Sequence, residues 1–192
     1  MSIISLDKNK TAEMESLMKI CKSDSQIYGM KLRDAHYKLG RQLARRMIDD
    51  LHDKNITMII MMRAGFCFGM GIADELEESG VRISILFYYN KKVWEEERIN
   101  QAWLFANNVI LVDAVINSGD TIIRLAQSLQ NNGKLIFASN VISAKAIHKF
   151  EDKYLYVVRI SERSFIGSKQ SIVKDGKGPD TGDKLFTPYW FT

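Results

Sequence analysis

Cysteine, proline and histidine are scarce in this chain of 192 residues, which has two cysteines, two prolines and three histidines. Two cysteines cannot form a disulfide framework, and the isolated histidines His36, His52 and His148 lack the spacing of zinc ligands. The prolines and twelve glycines form no Pro-rich or Gly/Ser-rich linker. We therefore expect one compact domain, stabilised by its hydrophobic core without disulfides or a structural metal.

Long apolar runs are also missing. No run approaches the roughly 20 residues of a membrane-spanning helix, and the first ten residues lack the apolar segment of a secretory signal. We expect a cytoplasmic protein that does not bind a membrane. The net charge of +4 and the isoelectric point of about 9.0 favour an anionic ligand, but these charges are too few and too dispersed to argue for nucleic acid by themselves. We do not expect nucleic acid as a partner, although a basic pocket and a basic surface both remain open.

The chain does contain a regular alternation of apolar patterns typical of helices and of strands. A helical period extends from Met14 to Leu51, and short apolar runs of strand type then begin near residues 55, 81, 109, 135 and 154. Between these runs we predict helices at 72–78, 119–131 and 144–150, and a loop that contains Gly65, Gly69 and Gly71. Strands that alternate with helices predict a doubly wound parallel sheet.

The single domain, 1–192, is accordingly expected in three parts. Residues 1–52 form a helical N-terminal part, 53–160 the core sheet with its helices, and 161–192 a loop-like tail with a docked end. The polar stretch 90–100 joins two core elements as a long excursion, and such excursions are usually functional.

The segment VILVDAVINSGDTI, residues 109–122, carries the strongest chemical signal. An apolar strand reaches Asp113, and a loop of small residues then leads into a helix. Backbone N–H groups at a helix start, with the Ser118 and Thr121 hydroxyls beside them, suit a phosphate. Asp113 suits the hydroxyls of a sugar, because an ionised carboxylate only accepts hydrogen bonds.

This strand, acid and loop resemble the motif that binds phosphoribosyl diphosphate (PRPP) in type I phosphoribosyltransferases. Two further segments resemble the uracil phosphoribosyltransferases within that group: MMRAGFCFGMGI at 61–72 and GPDTGDKLF at 178–186, in the family's order. The resemblance covers residues 56–188. It implies a type I phosphoribosyltransferase fold, α/β with a mainly parallel twisted sheet flanked by helices, with N-terminal helices and a C-terminal base-binding segment.

By position, the resemblance assigns Arg63 to the diphosphate of PRPP, with the Ala64 and Gly65 backbone around the same group, and it implies a cis peptide at Met62–Arg63. Asp113 would hold the ribose hydroxyls. The residues that would surround the 5-phosphate are Asn117, Ser118, Gly119, Asp120 and Thr121.

The C-terminal signature supplies the remaining assignments. The resemblance places Asp180 near the ribose and the base, with Pro179 and Thr181 beside the base. Arg63, Asp113 and Asp180 are thus the candidate catalytic residues. The excursion 90–100 matches the hood that closes over PRPP, with Lys91 and Lys92 as candidate anion contacts.

The implied activity is transfer of phosphoribosyl from PRPP to a pyrimidine base, giving UMP and diphosphate in pyrimidine salvage. Magnesium would be held mainly by the PRPP diphosphate and water, without direct side-chain ligands. Members of the family are commonly dimers, so we expect a homodimer or a higher homo-oligomer.

Four departures from the family pattern leave alternatives open. The acid pair usual in type I enzymes is reduced to Asp113, as in the uracil branch. Asp120 stands where the family usually has glycine, and its carboxylate would repel a phosphate unless it turns outward. In the hood, Asn90 follows Tyr89 where the uracil enzymes have an arginine, so the positive charge would have moved to Lys91. Pro179 has no N–H for the base. The alternatives are transfer to another base and a catalytically silent PRPP- or nucleotide-binding regulator that binds nucleic acid.

Other residues are expected to be structural. We interpret His36 as a buried core histidine and Cys67 as a small buried hydrophobe. The aromatic end 189–191 is interpreted as packing or dimer contact.

Overall fold

The computed structural model describes residues 3–51, 55–89, 108–129, 133–163 and 179–187. Its six strands form one sheet in the order β1-β6-β5-β4-β2-β3, and every neighbouring pair is parallel. The strands are β1 Ile3–Ser5, β2 Asn55–Met61, β3 Arg82–Tyr88, β4 Asn108–Ile116, β5 Lys134–Ser143 and β6 Tyr154–Ser161. The parallel sheet predicted from the apolar runs is thereby confirmed.

Helices cover both faces of the sheet. The α-helices are α1 Ala12–Ile20, α2 Gly29–Arg45, α3 Gly65–Glu78, α4 Asp120–Ser128 and α5 Thr181–Phe186, and the short 3-10 helices are Leu6–Asn9, Ile48–Asp50 and Ala144–Phe150. One core cluster joins α1, α2 and α3 to the sheet, and a second joins α4 and the helix 144–150 to the opposite face. None of these helices in the described ranges is both long and apolar enough to cross a bilayer.

The N-terminal part departs from its predicted helical character in two places. Residues 3–5 form β1, which pairs with β6 at the sheet edge, with Ile3 opposite Leu155. Three residues are too few to show a strand period in the sequence. The helical pattern predicted from Met14 to Leu51 is divided between α1 and α2, because the chain turns between them, where Gln26 and Gly29 take left-handed φ angles of 54° and 61°.

The glycine-rich segment after β2 is helical, which corrects the loop predicted there. Helix α3 begins at Gly65, not at Ile72. Its glycines allow close packing: a Cβ on Gly69 would lie 2.6 Å from the Ile60 side chain, and one on Gly71 would lie 2.0 Å from the Tyr37 carbonyl oxygen. Glycine therefore marks contact between elements here and does not end the helix.

The other element boundaries differ less. Helix α4 ends at Ser128, inside the predicted range 119–131, and residues 130–132 lie outside the described part. The segment 144–150 is helical as predicted, but of the 3-10 type. In the tail, residues 181–186 form α5, whereas the prediction was a loop.

The parallel pairing places the functional segments together. Strands β2 and β4 are adjacent, with Ile60 opposite Val112, so their carboxyl ends open at the same edge of the sheet. The segment that follows β2 contains Arg63, and the last residues of β4 include Asp113. Ligands of open parallel sheets bind at this edge.

The contact between α2 and α3 generates a stability prediction. A Cβ on Gly40 would lie 2.2 Å from the Phe68 carbonyl oxygen, so Gly40→Ala must push two helix backbones apart. Helix propensity alone would favour alanine by about 1 kcal/mol. We expect instead a net loss of about 2 kcal/mol in the free energy of unfolding, measured by urea denaturation.

Lys31→Ala, at an exposed position of α2, is the control and should change the unfolding free energy by less than about 0.5 kcal/mol. A Gly40→Ala protein more stable than the parent would contradict the close helix approach.

Candidate active site

Arg63 lies in the turn between β2 and α3. The Met62–Arg63 peptide bond is cis, as the resemblance implied, and the Met62 N–H donates to the Tyr88 carbonyl at 2.9 Å. The turn packs against β4, because a Cβ on Gly65 would lie 3.1 Å from the Val112 carbonyl oxygen and 3.6 Å from the Asp113 Cα. Only glycine allows this approach without displacement, so Gly65 brings the Arg63 turn beside Asp113.

Asp113 is half-buried near the end of β4, and its Oδ1 accepts a hydrogen bond from the Val115 N–H at 3.3 Å. Burial raises the pKa of its carboxyl from 3.8 to about 7, against the opposing effect of hydrogen bonds from Val115 and Ala114. The ionised form is therefore costly until a ligand supplies donors. Hydroxyl groups of a sugar are such donors.

The loop after β4 ends in Gly119, which has a φ of 78° and precedes the first residue of α4. The Phe150 ring packs closely against this loop, since a Cβ on Gly119 would lie 3.1 Å from the ring. Gly119 has no side chain to cap the helix, so the Thr121 and Ile122 N–H groups of the first turn of α4 are not capped by it and can face a ligand. The Ser118 Oγ accepts from the Asp120 N–H at 3.3 Å, and the Thr121 residue is half-buried beside it.

Asp120 is exposed and pairs with a cation that the sequence analysis missed. The Lys149 Nζ lies 2.5 Å from the Asp120 carboxylate and donates to the Ser118 carbonyl at 2.8 Å. A hydrogen bond from Lys149 is the largest of the effects that hold the pKa of Asp120 below its ordinary value. The charge of this unusual residue is thus compensated beside the loop. No local pattern could show this pair, which joins residues 29 positions apart.

Helix α5 lies against Arg63. The Arg63 Nη2 donates to the Asp183 Oδ1 at 2.6 Å, and a Cβ on Gly182 would lie 3.3 Å from the Arg63 Cβ. Asp180 caps this helix, because its Oδ1 accepts from the Asp183 N–H at 2.8 Å, while the Asp183 Oδ2 accepts from the Asp180 N–H at 3.2 Å. Asp183 therefore joins the arginine turn to the C-terminal signature.

The structure thus brings most of the predicted residues to one edge of the sheet. Gly65 lies against Asp113 on β4, and Arg63 lies against Gly182 and Asp183 of α5. Pro179 and Thr181 are buried on either side of Asp180 in the chain. Residues 117–121 follow β4 directly. The predicted Lys91 and Lys92, the excursion 90–100 and the aromatic residues 189–191 lie outside the described residues.

Sequence reasoning missed Asp183 and Gly182, although both stand in the quoted signature GPDTGDKLF.

The two residues interpreted as structural are buried, His36 in α2 and Cys67 in α3. Burial lowers the pKa of His36 to about 4. This histidine is neutral at pH 7, and its Nδ1 lies 3.5 Å from the Asn140 Nδ2.

The carboxylates at this edge can be tested as magnesium ligands. Within the described ranges, no group of three or more His, Cys, Asp or Glu side chains is placed to hold a metal ion. Asp120 and Asp183 are paired with cations, and Asp180 caps α5. Of the acids described at this edge, Asp113 remains as a carboxylate whose oxygen could bind the magnesium ion. This set fits an ion that takes most of its ligands from substrate oxygens and water.

The chain is similar to several solved structures. A hypothetical protein from Neisseria gonorrhoeae with bound ppGpp is similar with a TM-score of 0.51 and 21% identity, over 70% of this chain and 82% of that one. Hypoxanthine-guanine phosphoribosyltransferase from Schistosoma mansoni in complex with IMP is similar with a TM-score of 0.49 and 14% identity, over 84% and 83% of the two chains. The HGPRT-ase from Leishmania tarentolae in complex with GMP is similar with a TM-score of 0.46 and 16% identity, over 60% and 69%.

The parallel six-stranded sheet flanked by helices agrees with the type I phosphoribosyltransferase fold expected from the sequence. A family model for uracil phosphoribosyltransferase matches residues 24–187, so the chain belongs to that family. No curated protein matches the chain. Membership establishes the protein as a phosphoribosyltransferase, an enzyme that uses PRPP and a nucleobase.

The raised pKa of Asp113 generates a prediction about pH. Between about pH 4 and pH 7, folded Asp113 keeps the proton that the unfolded chain has released, so this residue lowers stability as the pH rises. Asp113→Asn removes the effect. The stability of Asp113→Asn relative to the parent should therefore increase from pH 4 to pH 7 and level off above pH 8, as measured by urea unfolding.

Asp120→Asn is the matched control. Because the pKa of Asp120 is lowered, its contribution to the free energy of unfolding changes only at pH values below the ordinary pKa of the carboxyl. The stability difference between Asp120→Asn and the parent should therefore stay constant between pH 5 and pH 8. If the Asp113→Asn difference were equally constant, Asp113 would be ionised throughout that range.

Proposed function

We propose that this phosphoribosyltransferase transfers the phosphoribosyl group of PRPP to uracil, giving UMP and diphosphate. The observation that carries the proposal is the position of Arg63. Its turn packs on the Asp113 strand, and its guanidinium is paired at 2.6 Å with Asp183 of the C-terminal signature. Groups suited to the diphosphate, the ribose and the base therefore meet at one place.

Arg63 is the proposed diphosphate ligand. A guanidinium is a planar, permanently charged donor that matches phosphate oxygens, and the Arg63 side chain is 44% exposed, so a ligand can reach it. The backbone of Ala64 and Gly65 would surround the same group. As the bond to diphosphate breaks, charge grows on the leaving oxygens, and Arg63 would stabilise that charge.

Asp113 is the proposed partner of the ribose hydroxyls. Hydrogen bonds from two hydroxyls would replace the water lost on burial and favour the ionised carboxylate. A negative Asp113 beside the ribose would also stabilise the positive charge that develops on the sugar. The 5-phosphate would lie against the first turn of α4, with contacts from Asn117, Ser118, Gly119, Asp120 and Thr121.

The base would lie at the start of α5. Pro179 and Thr181 would flank it, and Asp180, fixed by its capping hydrogen bonds, would lie near the ribose and the ring. Pro179 favours a second candidate, transfer to a different base, because it is buried here and has no N–H to offer.

Magnesium would neutralise charge on the diphosphate when bound with PRPP, and among the described residues Asp113 is one whose carboxylate could approach the ion. The protein's own residues align the base with the anomeric carbon and exclude water that would hydrolyse PRPP. The bond from the anomeric carbon to diphosphate breaks, a bond to a ring nitrogen of the base forms, and the proton of that nitrogen is released together with diphosphate.

The direct test is diphosphate release from PRPP and magnesium with uracil, cytosine, hypoxanthine or guanine in separate reactions. We expect release with uracil and formation of UMP. Release only with another base would support the second candidate, and PRPP binding without release for any base would contradict the transferase proposal and favour a regulator.

Arg63→Ala should weaken PRPP binding at least tenfold, since a hydrogen bond between charged groups contributes about 1.5–3 kcal/mol. The control is Arg82→Ala, an exposed arginine at the opposite end of the sheet, which should leave PRPP affinity unchanged. Unchanged affinity in folded Arg63→Ala protein would remove the proposed diphosphate site.

The Arg63–Asp183 pair generates a separate prediction. Bound diphosphate must compete with Asp183 for Arg63, so Asp183→Asn should bind PRPP about two- to five-fold more tightly, in line with the roughly 0.5–1 kcal/mol of a partly exposed pair. Asparagine keeps an oxygen that can accept from the Asp180 N–H. Calorimetric titration with PRPP and magnesium measures the change.

Asp152→Asn, which removes an exposed charge paired with Lys153, is the matched control and should leave PRPP affinity unchanged. Weaker PRPP binding by Asp183→Asn would mean that Asp183 holds Arg63 in its binding position and does not compete for it.

A further inference from the structure

A cavity of about 370 Å³ lies beside β6, two strands away from β4. Its walls come from the helix Leu6–Asn9, from α1 and the turn after it, and from the end of β6. None of the residues assigned above to PRPP or to the base lines it. Its volume is within the range of small-molecule sites.

The lining is rich in charge, and most of this charge is paired. Three acid–base pairs stand on the wall: Asp7 with Lys10 at 2.8 Å, Glu15 with Lys19 at 3.2 Å and Asp24 with Arg163 at 3.3 Å. Lys22, Arg159 and Glu162 also line the cavity, and within the described ranges no ion pair joins them to another side chain. Two cations and one acid therefore remain for a ligand.

Arg159 is the strongest indication of a ligand. Its residue is half-buried, and its Nε is completely buried with no hydrogen-bond partner among the residues that the structure describes. Burial is also the main cause that lowers the pKa of this guanidinium. A buried charged donor without an acceptor is costly. Arg159 lines the cavity, so an anion bound there would neutralise the charge of its guanidinium.

The wall around Arg159 is held in place. The Lys184 Nζ of α5 donates to the Ser23 carbonyl at 3.0 Å, and the Arg163 N–H donates to the Ser161 Oγ at 3.3 Å. Both Ser23 and Ser161 line the cavity. A site whose groups are fixed before binding loses little entropy on binding.

We propose that this cavity binds a small phosphorylated metabolite, with its phosphate on Arg159 and Lys22. A guanidinium and an ammonium together suit phosphate oxygens. The volume exceeds that of a bare phosphate, and Glu162 provides an acceptor for hydroxyl groups on the rest of the molecule. The ligand class is a phosphate ester with hydroxyls, such as a pentose phosphate.

The test is titration of the isotope-labelled protein with ribose 5-phosphate, followed by backbone amide NMR. We expect saturable shifts at residues 22–24 and 159–163 in the parent and in Arg63→Ala, which disables the proposed diphosphate ligand on β2. Arg159→Gln should weaken this binding at least tenfold, and Lys22→Gln, at an exposed position, should weaken it without affecting the fold. Lys8→Gln, an exposed lysine outside the cavity, is the charge-matched control and should bind as the parent does.

Two further probes separate the parts of the ligand. Free ribose should not bind, and inorganic phosphate should bind more weakly than ribose 5-phosphate. The proposal is overturned by absence of saturable shifts in these segments, by equal binding of inorganic phosphate, or by binding that both Arg159→Gln and Lys22→Gln leave unchanged.

Discussion

The site depends on the parallel hydrogen bonding of β2 and β4. With Ile60 opposite Val112, both strands end at the same edge, and the turn that follows β2 lies beside the end of β4. Gly65 completes this arrangement, because any Cβ there would press on the Val112 carbonyl at 3.1 Å. The proposed diphosphate ligand Arg63 and the proposed ribose ligand Asp113 are neighbours for this reason, although 50 positions separate them in the sequence.

Compensation of charge is the second constraint. A site for a polyanion that contains several acids must keep those acids from repelling the ligand. In this protein Lys149 compensates Asp120, Arg63 compensates Asp183, and burial favours the neutral form of Asp113. The ion pair of Arg63 also joins the proposed diphosphate position to the C-terminal signature, so a ligand that displaced Asp183 from Arg63 would change the surroundings of α5.

Much of this architecture follows from local sequence. Apolar runs identify β2 to β6, and the loop of small residues around Gly119 predicts the proposed phosphate position, because both depend on residues that are close in the chain. The missed features depend on distant contacts: the pair of Arg63 with Asp183 spans 120 positions. Likewise, the sequence shows that residue 71 is glycine, but it does not show that Gly71 packs against the Tyr37 carbonyl.

A crystal structure with PRPP and magnesium would test the central claim most directly. The account predicts diphosphate oxygens at Arg63, ribose hydroxyls at Asp113 and the 5-phosphate at the first turn of α4, with Arg63 separated from Asp183. PRPP bound at another edge of the sheet, or bound here with Arg63 still paired to Asp183, would contradict it.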